Sequence, residues 1–87
     1  MAYLYKNINS NTTTTVAGSG QGILHTVVVN KEDGDITVFD KTGTLALLKD
    51  NISEGTYRFD INWIGFLKIT TAGSPDLTIS YGINQSA

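Results

Sequence analysis

The side chains that could carry out chemistry are few, because the chain has a single histidine, no cysteine and eight acidic residues. A Ser–His–Asp arrangement needs a histidine base. His25 lies in the middle of the apolar segment 23–29, which favours a packed or interface histidine instead. Paired carboxylates can hydrolyse glycosides, but Glu32, Asp33 and Asp35 share one turn, as in a solvated hairpin tip. The sequence therefore predicts a protein that is not an enzyme.

Two loops have compositions that suggest a calcium site or a phosphate-binding site, but neither matches the motif of such a site. Residues 31–35 cluster hard oxygen ligands, but they lack the alternate ligand spacing and the distal glutamate of a calcium-binding EF-hand loop. An Asp followed by Gly, as at Asp33 and Gly34, is typical of a tight hairpin. Residues 18–22 are rich in glycine but precede a strand pattern and lack a following Lys-Ser or Lys-Thr, unlike a phosphate-binding loop. We predict no metal and no cofactor.

Size and charge exclude two further classes of partner. With 87 residues and 9.4 kDa, the chain is long enough for one small domain. Six basic against eight acidic residues give a net charge of −2, so we expect no basic surface that follows a phosphate backbone. No apolar run exceeds five residues, which is far shorter than a membrane span. We therefore expect neither nucleic acid nor a membrane as a partner.

The elements that must position these residues are short strands. The chain is rich in Thr, Gly, Asn and Ser, which favour strands and tight turns, and no stretch repeats apolar residues at helical spacing. Turn signals recur about every ten residues. The pattern predicts an all-β protein, a small antiparallel β-sandwich or jelly-roll-like barrel. Its eight or so strands are expected at residues 2–8, 12–16, 22–30, 36–40, 44–49, 56–61, 66–71 and 76–81.

The predicted strand 22–30 is apolar on both faces, which is unusual for a sheet with one solvated face. Strict alternation places Ile23, His25, Val27 and Val29 on one side. This strand is therefore either covered on both sides within the chain or in contact with another subunit. Both interpretations remain open for this face.

The apolar corner 61–67 and the N-terminal segment raise the same question. Trp63 and Phe66 suit either the core or a buried contact between chains, because Trp and Phe are enriched in interface cores. Residues 1–11 form an arm or edge strand that carries Tyr3 and Tyr5. It either completes its own sheet or lies across a neighbour by strand addition. Residues 12–81 then form the β-sandwich domain, and residues 82–87 form a flexible tail.

A series of short motifs runs from Tyr3 to Tyr81. In order they are Tyr-Lys-Asn-Ile, Thr-Thr-Thr-Val, Gly-x-Gly-x-Leu-His-Thr-Val-Val-Val-Asn, Ile-Thr-Val-Phe-Asp, Gly-Thr-Tyr-x-Phe-Asp-Ile, Thr-Ala-Gly and Asp-Leu-Thr-Ile-Ser-Tyr. This series resembles small virion structural proteins of tailed bacteriophages. The resemblance implies a capsid decoration (cement) protein or a head-fibre-like protein. As a decoration protein it would be a homotrimer that binds the phage major capsid protein and stabilises the assembled head. It would be made in the host cytoplasm and located on the capsid surface of the virion.

The alternative functions belong to other classes. A small β-sandwich rich in aromatic residues could be a carbohydrate-binding or host-surface-binding module of the virion, and a neck or tail structural component is a further variant. For the capsid or subunit interface, the sequence offers eight candidate residues. They are Tyr3, Tyr5, Ile23, His25, Val27, Val29, Trp63 and Phe66.

Overall fold

The computed structural model describes residues 3–83, which form six antiparallel strands. Within these residues no helix is present that could cross a membrane. All the strands belong to one sheet, in the order β1-β6-β2-β5-β3-β4. The all-β antiparallel class expected from the sequence is confirmed. The strands are β1 (Leu4–Ile8), β2 (Thr13–Lys31), β3 (Ile36–Asp40), β4 (Gly43–Leu48), β5 (Gly55–Thr71) and β6 (Asp76–Ile83).

The prediction of about eight strands is wrong in number, because β2 and β5 each contain two of the predicted strands. The glycine-rich residues 18–22, which separate two of the predicted strands, and the predicted corner 61–67 both lie inside a continuous strand. Gly20 and Gly65 face each other across the β2–β5 pair with positive φ angles of 116° and 83°. Glycine adopts these angles without a Cβ clash, so the ribbon bends while its strands stay paired.

The bend divides the sheet into two halves, which form the two layers of a β-sandwich. In the first layer, residues 22–31 of β2 pair with β6, and β6 pairs with β1. In the second layer, residues 67–71 of β5 pair with β3, and β3 pairs with β4. Each layer thus contains four strand segments, because β2 and β5 contribute to both. This arrangement explains why the sequence pattern indicates eight.

The core is a single cluster of buried apolar side chains from all six strands. Trp63 is the largest fully buried side chain, and its indole N–H donates to the Gly82 carbonyl at 3.1 Å. Burial of this donor is therefore compensated by a hydrogen bond. The cluster comprises Ile8, Ala17, Leu24, Val27, Val29, Ile36, Val38, Ala46, Leu48, Trp63, Leu67, Ile69, Leu77, Ile79 and Tyr81.

The two ends of the chain extend the first layer. Strand β1 pairs with β6 from Leu4 opposite Tyr81 to Ile8 opposite Leu77, so this segment is an edge strand of its own sheet. Strand β6 continues to Ile83, two residues into the predicted tail. The other residues of that tail, 84–87, and the first two residues of the predicted arm lie outside the described residues.

Candidate functional site

Three loops meet at one end of the sandwich and carry most of its acidic side chains. They are the β2–β3 loop (residues 32–35), the β4–β5 loop (49–54) and the β5–β6 loop (72–75). We call these loops, together with Lys31 at the end of β2 and Asp76 at the start of β6, the acidic end. Its acidic residues are all exposed or half-buried and comprise Glu32, Asp33, Asp35, Asp50, Glu54 and Asp76.

Carboxylates of the acidic end hold the first two loops together by accepting hydrogen bonds from backbone amides. The Asp50 N–H donates to Asp35 Oδ1 at 2.6 Å, and the Gly34 N–H donates to Asp50 Oδ1 at 3.2 Å. The Asn51 N–H donates to Glu32 Oε1 at 2.9 Å. Each loop thus supplies both acceptors and donors to the other. Amide bonds to a charged acceptor are stronger than neutral ones, so they fix the carboxylates in place.

The third loop joins the other two through the β2–β3 loop and the start of β6. The Ser74 N–H donates to Asp33 Oδ2 at 3.0 Å, and the Ala72 N–H donates to the Asp35 carbonyl at 2.9 Å. At the start of β6, Asp76 Oδ1 accepts from the Asn7 side-chain amide at 2.9 Å. The acidic end is therefore a connected set of loops, positioned before any partner binds.

The negative charge of the acidic end is not neutralised by ion pairs. Among the described residues, the ion pairs within 4.0 Å involve Asp60 alone, on another part of the surface. Six acidic side chains against Lys31 and Lys49 give this end a charge of −4, whereas the rest of the chain carries +2. The Gly34 N–H at 3.2 Å and the Asn51 N–H at 3.0 Å donate to Asp50 Oδ1 and favour the charged form of this carboxylate. Asp50 is therefore ionised at neutral pH.

The single histidine belongs to a separate polar cluster on the first layer. His25 Nδ1 lies 2.6 Å from Asp60 Oδ1, and Arg58 Nε donates to Asp60 Oδ2. The Tyr3 ring stacks on His25, with 4.0 Å between ring centroids and 5° between ring planes. The pKa of Asp60 is lowered, first by the bond to His25 and then by the bond to Arg58. This cluster fastens the segment before β1 to the middle of the sheet.

Two irregularities of the ladder place His25 beside Asp60. His25 is an extra residue of β2 relative to β6, because Leu24 pairs with Tyr81 and Thr26 pairs with the next residue, Ser80. Asp60 has a φ of 52° at the matching irregularity in β5. Bulges of this kind re-aim a side chain out of strict alternation.

A pocket of about 360 Å³ lies next to this cluster, at the bend of the β2–β5 ribbon. Although Trp63 borders it, that side chain has no exposed surface, so the other residues form the walls. The walls carry amides, aliphatic groups and one phenol, and no acid or base. The bordering residues are Tyr3, Gln21, Gly22, Ile23, Asn62, Trp63 and Ile64.

Of the eight candidate interface residues, three are buried in the core and five lie at the surface. Val27, Val29 and Trp63 are at most 1% exposed and pack in the core of their own chain. Tyr5 is 72% exposed on β1. The other four, Tyr3, Ile23, His25 and Phe66, are half-buried at the surface. A role of these surface residues in a subunit contact stays a prediction.

The bulge at His25 corrects the assignment of faces in β2. Strict alternation groups Ile23 and His25 with Val27 and Val29, but the extra residue shifts the pattern, and Leu24 takes the core position instead. The acidic end was not predicted as a unit. The turn 31–35 is visible by itself, whereas Asp50 and Glu54, between the predicted strands 44–49 and 56–61, and Asp76 add charge of the same sign. Among the described residues, no three His, Asp or Glu side chains are grouped so as to hold a metal ion.

Comparison with known proteins identifies the fold. No family model and no curated protein matches the sequence. The structure is similar to the core of Drosophila NLP, with a TM-score of 0.67 and 11% identity over 94% of this chain and 97% of that chain. It is also similar to the nucleoplasmin-like N-terminal domain of Drosophila FKBP39, with a TM-score of 0.65 and 12% identity over 98% of this chain and 91% of that chain. The fold is nucleoplasmin-like.

The resemblance to phage virion proteins is therefore wrong, because the structure is similar to the Drosophila NLP core and to the nucleoplasmin-like domain of Drosophila FKBP39. The role in capsid decoration, the major capsid protein as partner and the location on the virion surface are withdrawn with it, as is the trimer that they implied. The physical reason lies in the motifs themselves. They consist of Thr, Gly and Asn in turns and of β-branched residues in strands, which any small antiparallel sandwich needs.

The alternative of a carbohydrate-binding or host-surface-binding module is corrected for the same reason, because the structure is similar to nucleoplasmin-like domains. Of the aromatic residues, Trp63 has no exposed surface and Tyr81 is only 8% exposed, so neither can stack on a sugar ring. The neck or tail component is withdrawn because it depended on the phage resemblance.

Proposed function

We propose that this protein is a non-enzymatic, homo-oligomeric domain that binds strongly basic proteins, of which histones are the representative class, through its acidic end. The observation that carries the proposal is a set of six carboxylates, five on two linked loops and Asp76 at the start of β6, which form no ion pair within 4.0 Å among the described residues. The comparison supports it, because the Drosophila NLP core is described in terms of pentamer formation and histone binding.

The chemistry of the acidic end suits lysine and arginine side chains. Carboxylate oxygens accept charge-assisted hydrogen bonds from both, and complementary charge accelerates encounter and excludes acidic partners. Loops already held by hydrogen bonds lose little conformational freedom when a partner binds. These properties favour a partner with many basic side chains over a small cation.

A ring of copies would multiply this effect. In a cyclic oligomer the equivalent surfaces of all subunits lie at the same level along the symmetry axis. The acidic ends would then form one ring of negative charge, and a long basic protein could contact several of them at once. We therefore expect the oligomer to bind more tightly than any single subunit.

The test compares a change of one unit of charge on two surfaces. Glu54→Gln at the acidic end should weaken binding to purified core histones about two- to fivefold, measured by titration calorimetry. The triple variant Glu32→Gln, Asp50→Asn, Glu54→Gln should weaken it about tenfold or more. Ser19→Asp is the matched control, because it changes one charge at an exposed position of the bend, outside the acidic end, and should change the affinity less than about twofold. An effect of Ser19→Asp as large as that of Glu54→Gln, or no binding by the native protein, would overturn the proposal.

A further inference from the structure

The pocket at the bend of the β2–β5 ribbon takes no part in the proposed binding of basic proteins. Its volume of about 360 Å³ is within the range of sites for small molecules, about 300–1,000 Å³. The residues that border it include no acid and no base. An ion would therefore have no charged partner in the pocket, and an uncharged molecule is the better occupant.

Two side-chain amides lie diagonally across the ribbon at this pocket. Gln21 of β2 pairs with Ile64 of β5, and Ile23, two residues further along β2, pairs with Asn62. Trp63 is fully buried, whereas Asn62 and Ile64 on either side of it are exposed, so these two side chains are on the outer face. Diagonal neighbours on one face of an antiparallel pair are about 7–8 Å apart. One small ring can bridge that distance between the two amides.

Both amides are available to a ligand. Each offers a carbonyl oxygen as an acceptor and an NH₂ group as a donor. Among the described residues, neither the Gln21 nor the Asn62 side chain makes a hydrogen bond within 3.5 Å. A molecule with an N–H donor next to a carbonyl acceptor, as in a lactam, is complementary to such a pair.

Tyr3 adds an aromatic wall to the pocket, and a neighbouring cluster holds its ring. The ring stacks on His25 with 4.0 Å between centroids and 5° between planes, and His25 Nδ1 lies 2.6 Å from Asp60 Oδ1. Gly82 of β6 pairs with Ile23 and has no side chain, so it leaves the space between Tyr3 and β2 open. Aromatic side chains bind flat rings by stacking, which makes a planar ligand the best match.

We propose that this pocket binds a small, planar, uncharged lactam, of which a free pyrimidine base is the representative. The amides of Gln21 and Asn62 hydrogen-bond to the N–H and C=O groups of the lactam, and the Tyr3 ring stacks on its plane. Because no basic side chain borders the pocket, a phosphate would gain no ion pair there. The ligand is therefore a free base and not a nucleic acid. The site is separate from the acidic end, so each proposal can fail without the other.

The first test titrates the isotope-labelled native protein with uracil and follows amide resonances by NMR. The side-chain amides of Gln21 and Asn62 and the indole N–H of Trp63 should shift together and saturate. Half-saturation is expected between about 0.1 and 10 mM, because so small a ligand makes few contacts. The absence of a saturable shift at these three groups would overturn the proposal.

Variants of the walls test the roles of the side chains. Asn62→Leu should raise the half-saturating concentration about threefold or more, because it removes the hydrogen bonds at similar size. Tyr3→Ala should raise it about fivefold or more, whereas Tyr3→Phe keeps the ring and should stay within about twofold. Asn9→Leu, the same substitution at an exposed position outside the pocket, is the matched control. The amide spectrum shows whether each variant folds, and Asn62→Ala replaces Asn62→Leu if that variant unfolds. Equal effects of Asn62→Leu and Asn9→Leu would overturn the proposal.

Two further probes test the class of ligand. Uracil methylated on both ring nitrogens keeps the ring and the carbonyl groups but lacks the N–H donors, and it should bind about threefold more weakly or less well still. Equal affinity for the two compounds would show that the amides do not recognise a lactam. A short oligouridylate should bind no more tightly than uracil. Tighter binding that weakens with salt would make a nucleic acid the ligand and overturn the choice of a free base.

Discussion

Asp40 shows how a single residue joins two parts of the fold. It is only 4% exposed and accepts hydrogen bonds from the Thr42 N–H at 2.8 Å, the Thr42 hydroxyl at 2.6 Å and the Ile64 N–H at 2.9 Å. Burial raises the pKa of Asp40, but these hydrogen bonds lower it by more, so the pKa lies below its usual value. The carboxylate thus ties the β3–β4 turn to β5 at the bend.

The lowered pKa of Asp40 sets the sign of its pH dependence. Its contribution to stability is complete above the unfolded pKa of about 3.8 and is lost as the pH falls through the lower folded pKa. Asp40→Asn should reduce the free energy of unfolding by about 1–3 kcal/mol at neutral pH. The reduction should shrink at about pH 2.5. Urea unfolding at both pH values measures this difference, with the exposed Glu54→Gln as the control.

An equal loss at both pH values would show that the charge of Asp40 is not what stabilises the turn. A large loss in Glu54→Gln would instead point to a general effect of net charge. In either case the link between the β3–β4 turn and the bend would have to come from the backbone bond between Lys41 N–H and the Ile64 carbonyl, which is 3.2 Å long.

At the scale of the elements, the bend of the β2–β5 ribbon turns one sheet into two layers. Gly65 combines a φ of 83° with a close approach, because a Cβ at this position would lie 2.6 Å from Lys41 Cβ. Gly20 has a φ of 116°, but a Cβ there would meet no atom within 4 Å. A side chain at Gly65 would therefore clash with Lys41, whereas a side chain at Gly20 would meet only the unfavourable φ angle.

Alanine substitutions should separate the cost of an unfavourable φ angle from the cost of a steric clash. Gly65→Ala should destabilise the protein by about 2–3 kcal/mol and Gly20→Ala by about 1–2 kcal/mol, since the first adds a clash to an unfavourable φ. Gly18→Ala is the control, because a Cβ there meets no atom within 4 Å and its φ is ordinary. Thermal unfolding of the three variants measures the order of their stabilities. A loss in Gly18→Ala as large as that in Gly65→Ala would contradict this account of the bend.

The same bend marks the limit of what the sequence could predict. The positions of most strands follow from period-two patterns and turn signals, whereas the pairing of β1 within its own sheet was one of two open interpretations. A glycine in a turn and a glycine in a bent strand have the same local pattern, so two strands were predicted on either side of the glycine-rich residues 18–22. The bulge at His25 depends on the register of two neighbouring strands, which no local pattern contains.

The acidic end was only partly predictable for a related reason. The turn 31–35 is visible as an acidic hairpin, but its contacts with residues 50–54 and 72–74 depend on strand order. Strand β5 lies between β2 and β3 in the sheet, so the β2–β3 loop connects two strands that are not adjacent. This loop meets the β4–β5 loop and the β5–β6 loop. The motif series that resembled phage proteins consisted of the residues that make turns and strands. It therefore described the fold class and not the surface that binds.

At the scale of the whole molecule, charge and apolar surface lie in different places. The acidic end carries a charge of −4 and the rest of the chain a charge of +2. The exposed large apolar side chains lie mainly on β1 and β4. Binding of a basic partner and association of copies should therefore respond differently to salt. Exposed charges separated by more than about 10 Å are screened at 0.1 M salt, while apolar contacts and backbone ladders are not.

Raising sodium chloride from about 50 mM to about 500 mM should weaken histone binding about tenfold or more. The mass of the oligomer should stay the same across this range, because the acidic ends repel one another and apolar side chains are the contacts that salt does not screen. Calorimetry and light scattering on the same samples measure both properties. If the oligomer dissociated with salt while histone binding persisted, charged groups would join the copies. The acidic end would then be a contact between copies and not the surface that binds a basic partner.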